Sequence, residues 1–235
     1  MKTKAIIAGT LLSANLFGAA QAGTVVNVTV YNATHGSLIT PIIAATHPST
    51  YKMYAMGQAA SDDLKKMAEG GDTSGLKTTI EAAGGITKSV GTAPFAAGAK
   101  EEINGLAADG NNGWLSLAGM ILPTNDAFVA INGWKIPAET GTHTVWLHAY
   151  DAGSEVNNEL LVSGGGTPGT LGMPGGTSHS GGTGMTTTET NTTVHIHPGV
   201  IGDPDSIGGK SDADISNHRW LNPIAKVVIT VTVTP

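Results

Sequence analysis

Beyond residue 22, both ends of the chain are written for β-structure. Val26, Val28 and Val30 alternate with Asn27, Thr29 and Tyr31, and at the far end Val227, Ile229, Val231 and Val233 alternate with Val228, Thr230 and Thr232. Period-two alternation sends successive side chains to opposite faces, so each end is a half-buried strand and each is a candidate partner for the other. Two regular terminal strands suit a closed or sandwiched sheet. The expected fold is mainly β, an antiparallel β-sandwich with two short helices inserted before the central strands.

The stretch from Leu122 to Leu160 supplies the centre of that sandwich. Ala127 to Gly133 has the apolar content of a strand, Pro137 to Gly141 supplies turn residues, and His143 to Tyr150 alternates as a second strand. An antiparallel pair of these segments brings Asp126 and Asp151 to one end of the sheet, on strands about 4.8 Å apart. The loops carrying them hold no Lys or Arg. Two anions so placed call for a counter-charge, and calcium, which takes oxygen ligands, is the simplest.

Upstream, Asn32 to Met56 reads as an irregular crossing over one sandwich end, because Pro41 and Pro48 interrupt it. Ser61 is a good N-cap, with Asp62 and Asp63 in the first turn. The helix it starts should reach about Glu69 and stop at Gly70-Gly71. A second helix is expected from Ser74 to Ala83. Strand character returns at 100–106 and 114–122, joined by the turn-rich Asp109 to Gly113. If those two strands pair, Glu101 and Glu102 lie at the end where Asp126 lies, and a third acidic ligand is available. Val28, Val30, Leu117, Val129, Ile131, Val145, Leu147, Ile229 and Val231 are the apolar phases of these strands and should form one core.

The first residues address the compartment. Lys2 and Lys4 precede an apolar run from Ala5 to Ala20, and Ala20-Gln21-Ala22 is a small-x-small cleavage site, so residues 1–22 read as a signal peptide and residues 23–235 as one secreted or periplasmic domain. No later run has the length and apolarity of a transmembrane segment. The chain has no cysteine, so its stability must come from the core, helped by a metal. A net charge of −6 with only 13% charged residues offers no basic surface to nucleic acid. Gly164 to Thr188 is rich in Gly, Ser and Thr and reads as a loop whose deletion should spare the fold.

Six segments together resemble the spondin N-terminal domain family, found in F-spondin, mindin and many bacterial exported proteins. They are VYNATHGSLITPIIAATH (30–47), GQAASDDLKKMAE (57–69), SLAGMILPTNDAFV (116–129), YDAGSEVNNE (150–159), HPGV (197–200) and NPIAKVVIT (222–230), in the family's order. The resemblance implies an antiparallel sandwich with bound calcium, held by the Asp after the proline-containing turn and the Asp of the Tyr-Asp-Ala-Gly segment, here Asp126 and Asp151. The family's third acidic ligand sits in the preceding strand, where Glu102 is the candidate. It implies adhesion or matrix contact rather than catalysis. This chain lacks the cysteines and the appended modules of the animal members, so their partners do not transfer. The expected partner is an extracellular ligand, carbohydrate or protein.

Other signals have plainer readings. His195 and His197 share a strand face and, with His143 and His148, could grip copper or zinc, but 143 and 148 differ by an odd number and face opposite ways. Glu155 and Glu159 read as solvated loop carboxylates. Asp203, Asp205, Asp212 and Asp214 lack the spacing of a helix-loop-helix calcium site and read as a solvated acidic loop. Ser37, Ser61 and Ser116 stand in no nucleophile-elbow frame, so no catalytic residue is assigned; the alternatives are a secreted hydrolase on the same scaffold and a copper- or zinc-binding protein that uses the histidines.

Overall fold

The computed structural model describes residues 23–159, 191–205 and 210–234. The alternating first run forms β1 (Gly23–Asn32), followed by β2 (Leu38–Ile39) and β3 (Ile42–His47). Helices α1 (Asp62–Gly70) and α2 (Ser74–Ala82) lead to β4 (Ile86–Val90) and β5 (Lys100–Ala107). Then come β6 (Trp114–Leu122), β7 (Ala127–Lys135), β8 (Gly141–Leu147) and β9 (Ala149–Asp151), with β10 (His195–Ile196) and β11 (Ala225–Thr234) closing the described chain.

The two terminal strands pair antiparallel along their whole length, from Gly23 opposite Thr234 to Asn32 opposite Ala225. They form the middle of a four-stranded sheet ordered β5-β1-β11-β8, which faces a second sheet ordered β10-β9-β7-β6-β3-β4 with β2 added to β6. Val28, Val30, Ile229 and Val231 from the first sheet meet Leu117, Val129 and Ile131 from the second, with Leu147 in the same core and Val145 partly buried against it. Each fully buried aliphatic side chain of this kind contributes about 1.5–3 kcal/mol of transfer free energy.

A second apolar cluster lies on the other side of the larger sheet. There Ile43, Ala45, Ala118, Phe128 and Ala130 meet Leu64 and Met67 of α1 and Leu76 and Ile80 of α2. The helices therefore make a third layer. Ser61 caps α1 as its sequence predicts, its Oγ accepting from Leu64 N at 3.2 Å, and Gly71 ends the helix at φ 69°.

Three expectations are corrected. Residues 42–47 are a central strand rather than an irregular crossing. They are buried on both faces, so the alternation that betrays a strand is missing. β5 pairs with β1, Glu102 standing opposite Thr29, while β6 pairs with β3 and β7; the 100–106 and 114–122 segments belong to different sheets. The strand expected from His143 to Tyr150 is split at His148: Leu147 pairs with Ala225 in one sheet and Ala149 with Val129 in the other. The signal-peptide and 164–188 readings fall on residues outside those described. Among the described residues, no helix is long and apolar enough to cross a membrane.

Candidate functional site

The short β9 is enough to bring the two aspartates together. Ala127 lies opposite Asp151 in the ladder, so Asp126 enters β7 at the same sheet end where Asp151 leaves β9, and Ala152 N donates to the Asp126 carbonyl at 3.3 Å. Thr124 shapes the approach: its Oγ1 donates to Ile121 O at 2.6 Å and accepts from Ala127 N at 3.2 Å. Asp126 and Asp151 are both fully buried.

Loop 151–157 wraps around the pair. Asp126 Oδ2 accepts from Ser154 N at 2.7 Å, Ser154 Oγ at 3.1 Å and Glu155 N at 3.1 Å. Asp151 Oδ1 accepts from Gly153 N at 2.6 Å and its Oδ2 from Asn157 Nδ2 at 2.5 Å. Gly153 makes the tight turn possible at φ 68°, and a Cβ there would stand 2.6 Å from the backbone of Thr192. On the far side, His195 Nε2 lies 3.6 Å from Asp151 Oδ2.

One carboxylate oxygen remains over. Asp126 Oδ1 is buried without a hydrogen-bond partner, while Oδ2 carries three. Burial above all, and then the charge of Asp151, push the Asp126 carboxyl up to about 7 despite the Ser154 and Glu155 donors, which act the other way. Glu155 is also buried, at 2% exposure, so the solvated reading of that residue is corrected. No periodicity marks it in the sequence; only the backbone wrap that sets its N–H on Asp126 draws it inward. The donor set is all oxygen and anionic, which fits a hard cation. Among the described residues no three His, Cys, Asp or Glu side chains form a ready-made metal cage, so backbone carbonyls and water would have to complete a shell.

Glu102 is not part of this arrangement. On β5, at the edge of the other sheet, its half-exposed side chain pairs with Lys100. Glu159 ties three loop segments together, since its Oε1 accepts from Ile201 N at 2.7 Å and its Oε2 from Gly202 N at 2.9 Å and from Ser211 Oγ. Asp203 accepts from the backbone N–H of Ser211 and of Asp205, and these donors, Ser211 above all, hold its carboxyl below the ordinary range. The acidic loop thus spends this carboxylate on its own backbone.

The histidines do not converge as a set. His195 lies beside Asp151, while His143 sits on β8 opposite Ile229 and its ring tilts against Trp134 at 5.4 Å. One pairing escaped the sequence altogether. His47 Nε2 stands 2.8 Å from Ser116 Oγ, which also accepts from Gly133 N, and His47 Nδ1 lies 2.9 Å from Pro48 O. Hydrogen-bonded Ser and His are the start of a nucleophile–base pair, but both are fully buried, out of reach of a substrate carbonyl. A search among curated proteins finds no match to this chain. The family model for Spondin_N matches residues 31–158, more than half of the chain and both aspartate loops, and the protein belongs to the spondin N-terminal domain family.

Proposed function

We propose that this protein is an exported β-sandwich module that binds calcium at Asp126 and Asp151 and serves adhesion or extracellular ligand binding rather than catalysis. The observation that carries the reading is the buried, unpartnered Oδ1 of Asp126 beside a second buried carboxylate. An unpaired anionic oxygen in the interior is costly, and a divalent ion offsets both that cost and the repulsion between the aspartates. Asp126 and Asp151 would hold the ion with Glu155 at hand in place of Glu102. The ion's contribution is charge neutralisation. The chain's own part is to fix the loops: Ser154 and Glu155 N–H groups orient one oxygen of Asp126, and Asn157 orients Asp151. Family membership favours an extracellular setting.

Thermal melting with calcium and with chelator tests this. A ligand that binds only the folded state at a hundredfold excess over its Kd adds about 2.7 kcal/mol. Asp126→Asn and Asp151→Asn should each lose most of that increment, whereas Glu102→Gln should keep it. Equal calcium-dependent shifts in wild type and both aspartate variants would place the ion elsewhere.

A further inference from the structure

A cleft of about 320 Å³ opens where the chain crosses from one sheet to the other at His148. Residues 130–132 of β7 form one wall and residues 145–147 of β8 the other, and Tyr54, Met56 and Tyr150 close it. Its size is at the lower end of the range that small-ligand sites occupy, about 300–1,000 Å³. Within the lining, Trp146 is 56% exposed. The other three tryptophans are engaged: Lys52 Nζ lies 5.0 Å over Trp114, Trp134 tilts against His143, and Trp220 against His197. Lys226, opposite Trp146 in the ladder, is turned instead to Tyr31, with Nζ 4.3 Å from that ring's centroid. Among the described residues no ring or cation covers the Trp146 indole. A large aromatic face left in water beside a concavity marks a binding surface.

The rest of the lining selects the ligand. It holds no carboxylate, ammonium or guanidinium group, so the ligand is uncharged. The polar groups that solvent reaches are the exposed His148 ring, the half-buried Tyr150 hydroxyl and the half-buried Asn132 amide. They are held in place: Tyr150 packs against Tyr54 and Phe128 at 5.3 and 5.7 Å, and Asn132 Oδ1 accepts from Met53 N while its Nδ2 donates to Tyr54 O. A flat apolar ring flanked by neutral donors and acceptors complements a pyranose, which presents C–H groups on its face and hydroxyls around its edge. A lipid tail would use the ring and leave the polar groups unanswered. An extended peptide that added to the sheet would need the backbone of β7, but Ala130 and Ile131 are only 3% and 7% exposed.

We propose that this cleft seats a pyranose ring of an uncharged glycan, stacked on Trp146 and hydrogen-bonded at its edge by His148 and Tyr150. The inference rests on the reading of the domain as a ligand-binding module, not on its calcium. The probes are cellobiose, lactose and di-N-acetylchitobiose, three neutral disaccharides, titrated into the full chain while the Trp146 indole N–H signal is followed by NMR. A saturable shift with at least one of them is expected, and it should persist in chelator because no carboxylate lines the cleft. Binding by variants is read from the sugar's own signals. Trp146→Ala should weaken it at least tenfold while the melting midpoint stays in place, since the side chain is exposed; His148→Ala and Tyr150→Phe should weaken it severalfold. A blocked triproline peptide is the comparator, and its tighter binding overturns the sugar assignment. No saturable shift with any of the three disaccharides removes the cleft as a glycan site, and sugar binding that survives Trp146→Ala but is lost in chelator places the sugar at the ion instead. The two ideas fail separately. Sugar binding at Trp146 without a calcium effect on melting removes calcium alone, and a calcium effect without sugar binding removes this cleft.

Discussion

At the scale of single residues, the same burial has opposite consequences for an acid and a base. Burial pushes the Asp126 carboxyl up, and it holds the His197 imidazole down to about 3, with His195 adding to that effect. A histidine whose folded pKa lies below its unfolded value of about 6.5 leaves the unfolded chain holding the extra proton between those limits. Its contribution to stability is therefore complete above pH 6.5 and is lost as the pH falls toward 3. The slope cannot exceed one proton, about 1.4 kcal/mol per pH unit. His197→Phe, which keeps a ring against Trp220 but cannot titrate, should be less stable at neutral pH because Gly199 N loses its acceptor. Its stability should nevertheless fall less steeply between pH 6.5 and 5. Urea unfolding across that range gives the difference in slope, and Asp126, which works in the opposite sense, is common to both proteins and cancels. Parallel slopes would mean that His197 is protonated in the folded protein. Asp126 and Asp151 were legible in the sequence because each sits where a strand meets its loop. Glu155 was not, because its burial depends on a wrap of loop 151–157 that leaves no pattern in the residues.

At the scale of elements, legibility followed the number of buried faces. β1 and β11 each bury one face along most of their length and could be read from alternation alone, as could α1 from its cap and terminal glycine. β3 is covered by the first sheet on one side and by the helices on the other, so its run of Ile, Ile, Ala and Ala carries no phase. Partner choice was harder still. Proximity in the chain suggested that β5 pairs with β6, but β5 crosses to the other sheet and takes Glu102 with it, since an alternating strand does not encode which edge it will extend. The helical layer can be tested by itself. Ser61→Ala removes the one side-chain acceptor for Leu64 N and should cost about 1 kcal/mol, the usual worth of an N-cap. The change is exposed and leaves no cavity, so the midpoint of urea unfolding should move with an unchanged slope. A loss near zero would show that α1 is held by Leu64 and Met67 alone.

At the scale of the whole molecule, the chain closes on itself through its last strand. β11 lies between β1 and β8, so one segment pairs with the first strand of the described chain and with the strand leading to the aspartate loop. It also brings Val227, Ile229 and Val231, all fully buried, into the core between the sheets. Replacing one such residue by alanine typically costs 2–5 kcal/mol for isoleucine and less for valine, so the three together approach the whole stability of an ordinary domain, about 5–15 kcal/mol. Ending the chain after Ala225 would remove those side chains and leave β1 and β8 as two open edges over an uncovered face. Such a protein should show no cooperative melting, with calcium or without it, because the sheet end that carries Asp126 and Asp151 depends on the same core. Ile229→Ala provides the graded version. It should lower the melting midpoint strongly but preserve a single transition, and calcium should still raise that midpoint, since the substitution lies within the core and leaves loops 123–126 and 151–157 in place. Differential scanning calorimetry distinguishes these outcomes. A cooperative, calcium-responsive transition in the truncated chain would show that the larger sheet and its helices fold without the terminal pair, and the sandwich would then be two units rather than one.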